Sequence, residues 1–155
     1  MDWRRVWAFV RRLLGALLAR DPSRKFMAAI EARNLPLLAR LHHRHASLRF
    51  PVPGHANLLA YAAAAGDVEV LSFVLEKGGM SPTECNEFGD NALLSAAFAN
   101  NLPTLRFLLD QPGFDPTHSD YQGNGLPSVL CANGHHDTLR ELLDRLPPAL
   151  LNARN

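Results

Sequence analysis

Cysteine is scarce in this chain: Cys85 and Cys131 are its only two, too few for a disulfide framework and without metal-ligand spacing. Both are expected to be reduced thiols. No stretch offers the ~18–20 uninterrupted apolar residues that a membrane span needs. The opening run from Val6 to Ala19 is cut by Arg11 and Arg12, and no small-x-small cleavage site precedes Asp21. A secretory signal is therefore not expected. Also missing are a glycine-rich phosphate loop, a nucleophile elbow and a Cys/His pair with local context. Acidic residues are scattered rather than paired, so the chain is read as a non-enzyme with no cofactor.

Apolar residues make up 47% of the sequence, enough for a continuous core and too many for a disordered body. The net charge of +1 hides a division. Through Arg49 there are eleven Lys/Arg against Asp2, Asp21 and Glu31, a balance of +8, whereas the remainder carries −7. The chain is thus bipolar, which suits two partners of opposite character or the docking of one end on the other.

What the sequence does contain is a repeat. The stretches beginning at Gly66, Asn100 and Gly134 share a small-polar opening followed by spaced leucines. Leu71, Leu105 and Leu139 lie 34 positions apart, as do Leu75, Leu109 and Leu143. A weaker copy starts at Arg33, and its Asn34-Leu35-Pro36 returns at Asn101-Leu102-Pro103. A period of this length predicts stacked supersecondary units, none able to bury its apolar face alone. Each unit reads as an alanine-rich inner helix, a turn, and a leucine-rich outer helix. Small inner side chains permit close approach, and leucines seal the outside against the next unit. Two short antiparallel helices are expected from Lys25 and from Leu35, with Phe50 to Gly54 as loop.

These residues resemble the ankyrin repeat family. Asn86 with Gly89, and Asp120 with Gly123, fit the family's turn; Ala62-Ala63 and Ala96-Ala97 fit its alanine pair. Gly66-Asp67, Asn100-Asn101 and Gly134-His135 fit the turn between helices. The resemblance covers roughly Arg24 to Leu146 and implies an all-α solenoid of helix-turn-helix units, placed at about 22–53, 54–86, 87–120 and 121–155. The family's Thr-Pro-Leu-His becomes Asn57-Leu58-Leu59-Ala60, Asn91-Ala92-Leu93-Leu94 and Gly125-Leu126-Pro127-Ser128. The hydroxyl and imidazole bonds that tie family members' units together are therefore expected to be missing. Asn57 and Asn91 can still cap a helix, but Gly125 cannot, and the last unit is expected to be the least stable.

The resemblance implies a protein–protein interaction module that grips its partner by turn tips and the exposed face of the inner helices. By position those residues are Glu87, Phe88, Asp90, Phe98, Tyr121, Gln122, Asn124 and Asn133, with Pro53 and Ala56 in a less regular first tip. Phe88 and Tyr121 stand out, since an aromatic beside a turn glycine is hard to bury and aromatics anchor interfaces. The acidic repeats favour a basic protein partner, and the molecule is expected to be a monomer or weak dimer.

Residues 1–21 form a separate amphipathic, basic segment. Trp3, Val6, Trp7, Phe9, Val10, Leu13, Leu14, Leu17 and Leu18 fill half of a helical wheel, opposite Arg4, Arg5, Arg11 and Arg12. This helix can cap the first unit, lie on an anionic membrane, or dock in a partner's groove; in the last two readings Trp3, Arg4, Arg5, Trp7, Arg11 and Arg12 make the contact. Other readings of the whole are a membrane-associated adaptor and a secreted bacterial effector or toxin-immunity protein; the Arg/Ala/Leu-rich usage has a bacterial character. A cytoplasmic location is expected, with peripheral membrane attachment or export without a cleavable signal as the other routes. Nucleic acid is disfavoured because no aromatic-basic reading platform accompanies the basic third. Metal is not expected either: His42, His43 and His45, like His135 and His136, have no carboxylate or thiolate completing a site.

Overall fold

The computed structural model describes residues 21–45 and 47–151; the N-terminal amphipathic segment, with Trp3, Arg4, Arg5, Trp7, Arg11 and Arg12, lies outside them. Helices come in pairs: α1 (Pro22–Glu31) with α2 (Leu35–His45), α3 (Leu58–Ala65) with α4 (Val68–Gly78), α5 (Ala92–Phe98) with α6 (Leu102–Leu109), and α7 (Leu126–Ala132) with α8 (His136–Leu142). A 3-10 turn at Leu143–Arg145 and a short α9 (Pro148–Leu151) follow. The inner helices α1, α3, α5 and α7 pack in sequence, and α2, α4 and α6 pack in sequence outside them.

Polar caps set where these helices begin. Asp21, Asn57, Asp67, Asn91 and Asn101 each accept a backbone N–H from the first turn of the helix that follows. The first helix starts at Pro22, three residues before the sequence pattern placed it, because the Asp21 cap and a proline in the first turn suit a helix start. Between the helices of every pair one residue takes the left-handed conformation: Arg33 (φ 50°), Gly66 (φ 88°), Asn100 (φ 55°) and Gly134 (φ 76°). This position recurs at 33, 34 and 34 residues, and it reverses the chain so that the second helix lies against the first.

Ala62, Ala63, Ala96 and Ala97 are fully buried where α3 and α5 meet. The absence of longer side chains there lets the backbones approach closely. On the outer side the deepest row is Val74, Leu108 and Leu142, also 34 apart and fully buried. It lies one position before the row formed by Leu75 and Leu109, which are half-buried, and Leu143, which is 38% exposed. The reason is helical: Val70, Val74 and Leu71, all buried, fall within an arc of about 100° on the helical wheel, and Leu75 lies about 40° beyond its edge. Cys131 occupies the register of Ala63 and Ala97 yet is exposed, and Cys85 is half-buried; both are free thiols.

Neither Gly125 nor His135 provides a side-chain cap, unlike the residues that open α1 and α3 to α6. Gly125 has ordinary extended geometry (φ −87°). A Cβ there would meet only His118 O at 3.6 Å and Pro127 Cδ at 3.9 Å, which is normal contact. Gly125→Asn, which restores the residue found 34 positions earlier at Asn91 and again at Asn57, should therefore stabilise the chain by about 1 kcal/mol, from the cap and from a less flexible unfolded state. The urea midpoint reads this directly. An unchanged or lower midpoint would mean that the missing cap is not what weakens the last pair.

Candidate partner-binding surface

Each turn tip is built by one side chain that takes over the backbone's hydrogen-bonding. Asn86 Oδ1 accepts from the amides of Phe88 (3.0 Å) and Asp90 (2.8 Å). Asp120 Oδ1 accepts from those of Gln122 and Asn124, both at 2.8 Å. In each tip the first and last residues also exchange a backbone bond, Asn86 N to Asp90 O and Asp120 N to Asn124 O. Burial works against the charge on Asp120, but bonds from Asn124, Gln122 and Gly123 more than offset it and hold the carboxyl below its usual range. The tip keeps its negative charge.

Neighbouring tips are joined in a row. Asn86 Nδ2 donates to Gly54 O at 3.3 Å, and the Tyr121 amide donates to Phe88 O at 3.0 Å. His118 Nε2 donates to Gly89 O at 2.8 Å, with the Cys85 sulfur 3.7 Å from the same nitrogen. Burial and the nearby Asp90 push the Cys85 thiol up. Ties between units expected to be missing are thus replaced by others: Asn57 Nδ2 reaches Glu84 at 2.7 Å, and Thr138 Oγ1 reaches Asn100 at 2.7 Å.

On this ridge Tyr121 is 77% and Phe88 59% exposed. Glu87 and Gln122 are exposed beside them, so these four residues come together on adjacent tips. Phe98, 47% exposed, and Asn133 both stand at the C-terminal ends of inner helices α5 and α7, away from the tips that precede those helices. Asn133 turns back onto its own helix by donating to Val129 O at 2.8 Å. Asp90 and Asn124 are half-buried with their side chains engaged inside the tips, to Asn86 (3.1 Å) and Asp120 (2.9 Å). Pro53 is exposed and Ala56 half-buried. Tip residues 84–90 and 114–124 hold five carboxylates (Glu84, Glu87, Asp90, Asp115 and Asp120) and no lysine or arginine; the nearest arginine pairing is Arg49 with Glu84, at 3.3 Å. Arg106 and Arg145 instead bridge to Glu141 and Asp110 from the last helix pair and its neighbour.

One group between the first two tips escaped the sequence reading. His55 stacks edge-on against Tyr61 with ring centroids 5.3 Å apart. Tyr61 donates from its hydroxyl to Glu31, and burial with that carboxylate pushes the phenol to about 12. His55 Nδ1 and Asp90 Oδ1 are both buried without a hydrogen-bond partner. The available signal was weak: Tyr61 replaces the Ser95 and Val129 of its register. Among the described residues no group of three or more His, Cys, Asp or Glu is arranged to hold a metal ion. Nor is any described helix long and apolar enough to cross a membrane.

Gly89 has φ +92°, and a Cβ there would sit 2.7 Å from the Tyr121 backbone nitrogen, whereas Gly123 (φ +86°) has open space around it. Gly89→Ala should therefore cost about 2–3 kcal/mol and Gly123→Ala about 1 kcal/mol, read from urea unfolding. Equal costs would show that the close approach at Gly89 is relieved for free. Burial lowers the His55 pKa from 6.5, only partly opposed by Asp90. The unfolded chain thus binds this proton more readily, and stability present above pH 6.5 is lost as pH falls through that value toward the folded one. His55→Gln should flatten the fall in melting temperature between neutral and mildly acid pH; an identical fall would assign it to other groups.

A family model of ankyrin repeats matches residues 26–120 in three copies. No curated protein matches the sequence. Among solved structures, the ankyrin repeat domain of Bcl-3, described as a unique member of the IkappaB protein family, aligns over 79% of this chain with a TM-score of 0.66 at 23% sequence identity. The chain spans 57% of that structure's length, and the likeness is one of fold. The matched segment runs from Phe26 in α1 to Asp120 at the start of the last tip, well over half of the sequence, and the paired helices, left-handed turns and hydrogen-bonded tips agree with it: the chain belongs to the ankyrin repeat family.

Proposed function

We propose that this protein binds a partner protein through the ridge of turn tips, and that the partner contributes a basic segment. Ankyrin repeats are protein–protein interaction modules. The observation that carries the finer reading is the exposure of Tyr121 and Phe88 on tips bonded backbone to backbone. The two rings are thus presented from a preorganised edge, and little ordering cost is left for binding. Aromatic anchors of this kind supply a large share of interface energy. The surrounding carboxylates, with no lysine or arginine among them, attract cations and repel acidic surfaces. Exposed Tyr and Phe faces also accept a guanidinium or ammonium group. Phe98 on the inner-helix face extends the contact for a longer partner.

Capture from native lysate by the full chain, followed by mass spectrometry, identifies the partner. Each of Phe88→Ala and Tyr121→Ala should then weaken binding of that partner by about 2 kcal/mol, roughly 30-fold, without change in melting temperature. Affinity should also fall as salt rises through physiological strength, because the charge attraction is screened. A partner held equally well by the double variant would place the interface elsewhere on the repeats.

A further inference from the structure

Five arginines, Arg33, Arg49, Arg106, Arg140 and Arg145, are each paired with a carboxylate. Arg40 and Arg44 of α2 have no such partner among the described residues, and α2 itself contains no Asp or Glu. Both are exposed. They stand one helical turn apart on a single face with Leu37 and Leu41, at the i, i+3, i+4 and i+7 spacing. Leu37 is 37% exposed, whereas Val70, Thr104 and Thr138 in the same register of the later outer helices are buried. With Ala39 and His43 these four residues line a hollow of about 490 Å³. A second hollow of about 440 Å³ shares Ala39 and His43 with it and is backed by Phe73.

We propose, resting on the tip reading above, that the basic segment taken by the ridge is α2 of a second copy of this chain. Both halves of the match stand on one molecule. The ridge carries Glu87, Asp90, Asp115 and Asp120 with no lysine or arginine paired to them among the described residues, and from it project the rings of Phe88 and Tyr121. The α2 face carries two arginines without a carboxylate, beside a hollow with room for an aromatic ring. A guanidinium forks onto a carboxylate and also seats on an aromatic face, so Arg40 and Arg44 answer both features of the ridge. Leu37 and Leu41 supply apolar contact for a ring between them. The two surfaces differ, so the contact is head-to-tail: each copy offers α2 to one neighbour and its tips to the next. A bilayer finds less to take up on this face, since α2 has one exposed leucine and no Trp, Tyr or Phe.

Sedimentation velocity of the full chain at low salt should give a weight-average mass that rises with concentration above the monomer's 17.1 kDa. Added salt should bring it back down, because the attraction is between charges. Arg40→Glu with Arg44→Glu, and separately Phe88→Ala with Tyr121→Ala, should each hold the chain at monomer mass. All four side chains are exposed, so far-UV circular dichroism should stay unchanged. Mixed together, the two double variants should form a one-to-one complex and nothing larger, because each keeps the surface that the other lacks. A wild type that stays monomeric at every concentration overturns the proposal. So does self-association that survives either double variant, or a mixture that fails to pair. A monomeric wild type that still captures a foreign protein through Phe88 and Tyr121 sinks this inference and leaves the tip reading standing; capture indifferent to those two rings sinks the tip reading itself.

Discussion

The fold depends on one backbone reversal made four times. At Arg33, Gly66, Asn100 and Gly134 the chain passes through left-handed geometry, and this lays each outer helix on its inner partner. Glycine meets the requirement at no steric cost; arginine and asparagine meet it at about 1 kcal/mol or more. Two of the four turns therefore hold a residue that does not favour its own conformation. The helices on either side must over-determine it. Packing of Leu38, Leu71 and Leu105, all fully buried, supplies that determination, and a Cβ at Gly66 would collide with Asn101 Nδ2 at 1.9 Å. Turn, cap and neighbouring unit are thus mutually constrained rather than independently stable.

The same economy appears at the tips. Family members tie their units with a threonine hydroxyl and an imidazole at the start of the inner helix, neither of which stands in those positions here. The units are nevertheless tied, by Asn57 to Glu84, by His118 to Gly89 and by the Tyr121 amide to Phe88 O. The bonds have moved from the helix start to the loops. One result is that Asp90 and Asn124, which position alone would offer to a partner, are spent on holding the tips in shape. Another is that His55 is left half-buried beside Tyr61 with one ring nitrogen unpaired.

Much of this was legible in the sequence, for a physical reason. Periodic leucines, the alanine pairs and polar residues ahead of apolar runs report interactions within a unit, which sequence spacing encodes. The helix pairs, the capping by Asn57 and Asn91, the uncapped Gly125 and the exposure of Phe88 and Tyr121 were all readable on that basis. Interactions between units were not. The bonds of Asn86 to Gly54, Thr138 to Asn100 and Arg106 to Glu141 join residues about one period apart, and no local pattern marks which of several polar side chains will meet. The deepest outer row was missed for a smaller reason: valine at Val74 breaks the leucine identity that singles out Leu75 and Leu109.

The bond between adjacent tips runs from the Tyr121 amide to the Phe88 carbonyl, main chain to main chain. Nothing in that link depends on which side chains stand at positions 88 and 121. Mutation can therefore rewrite what the ridge displays while the spacing and orientation of the display persist. Scaffold and display are inherited separately, and a lineage carrying this chain can alter the surface of the ridge without first having to refold.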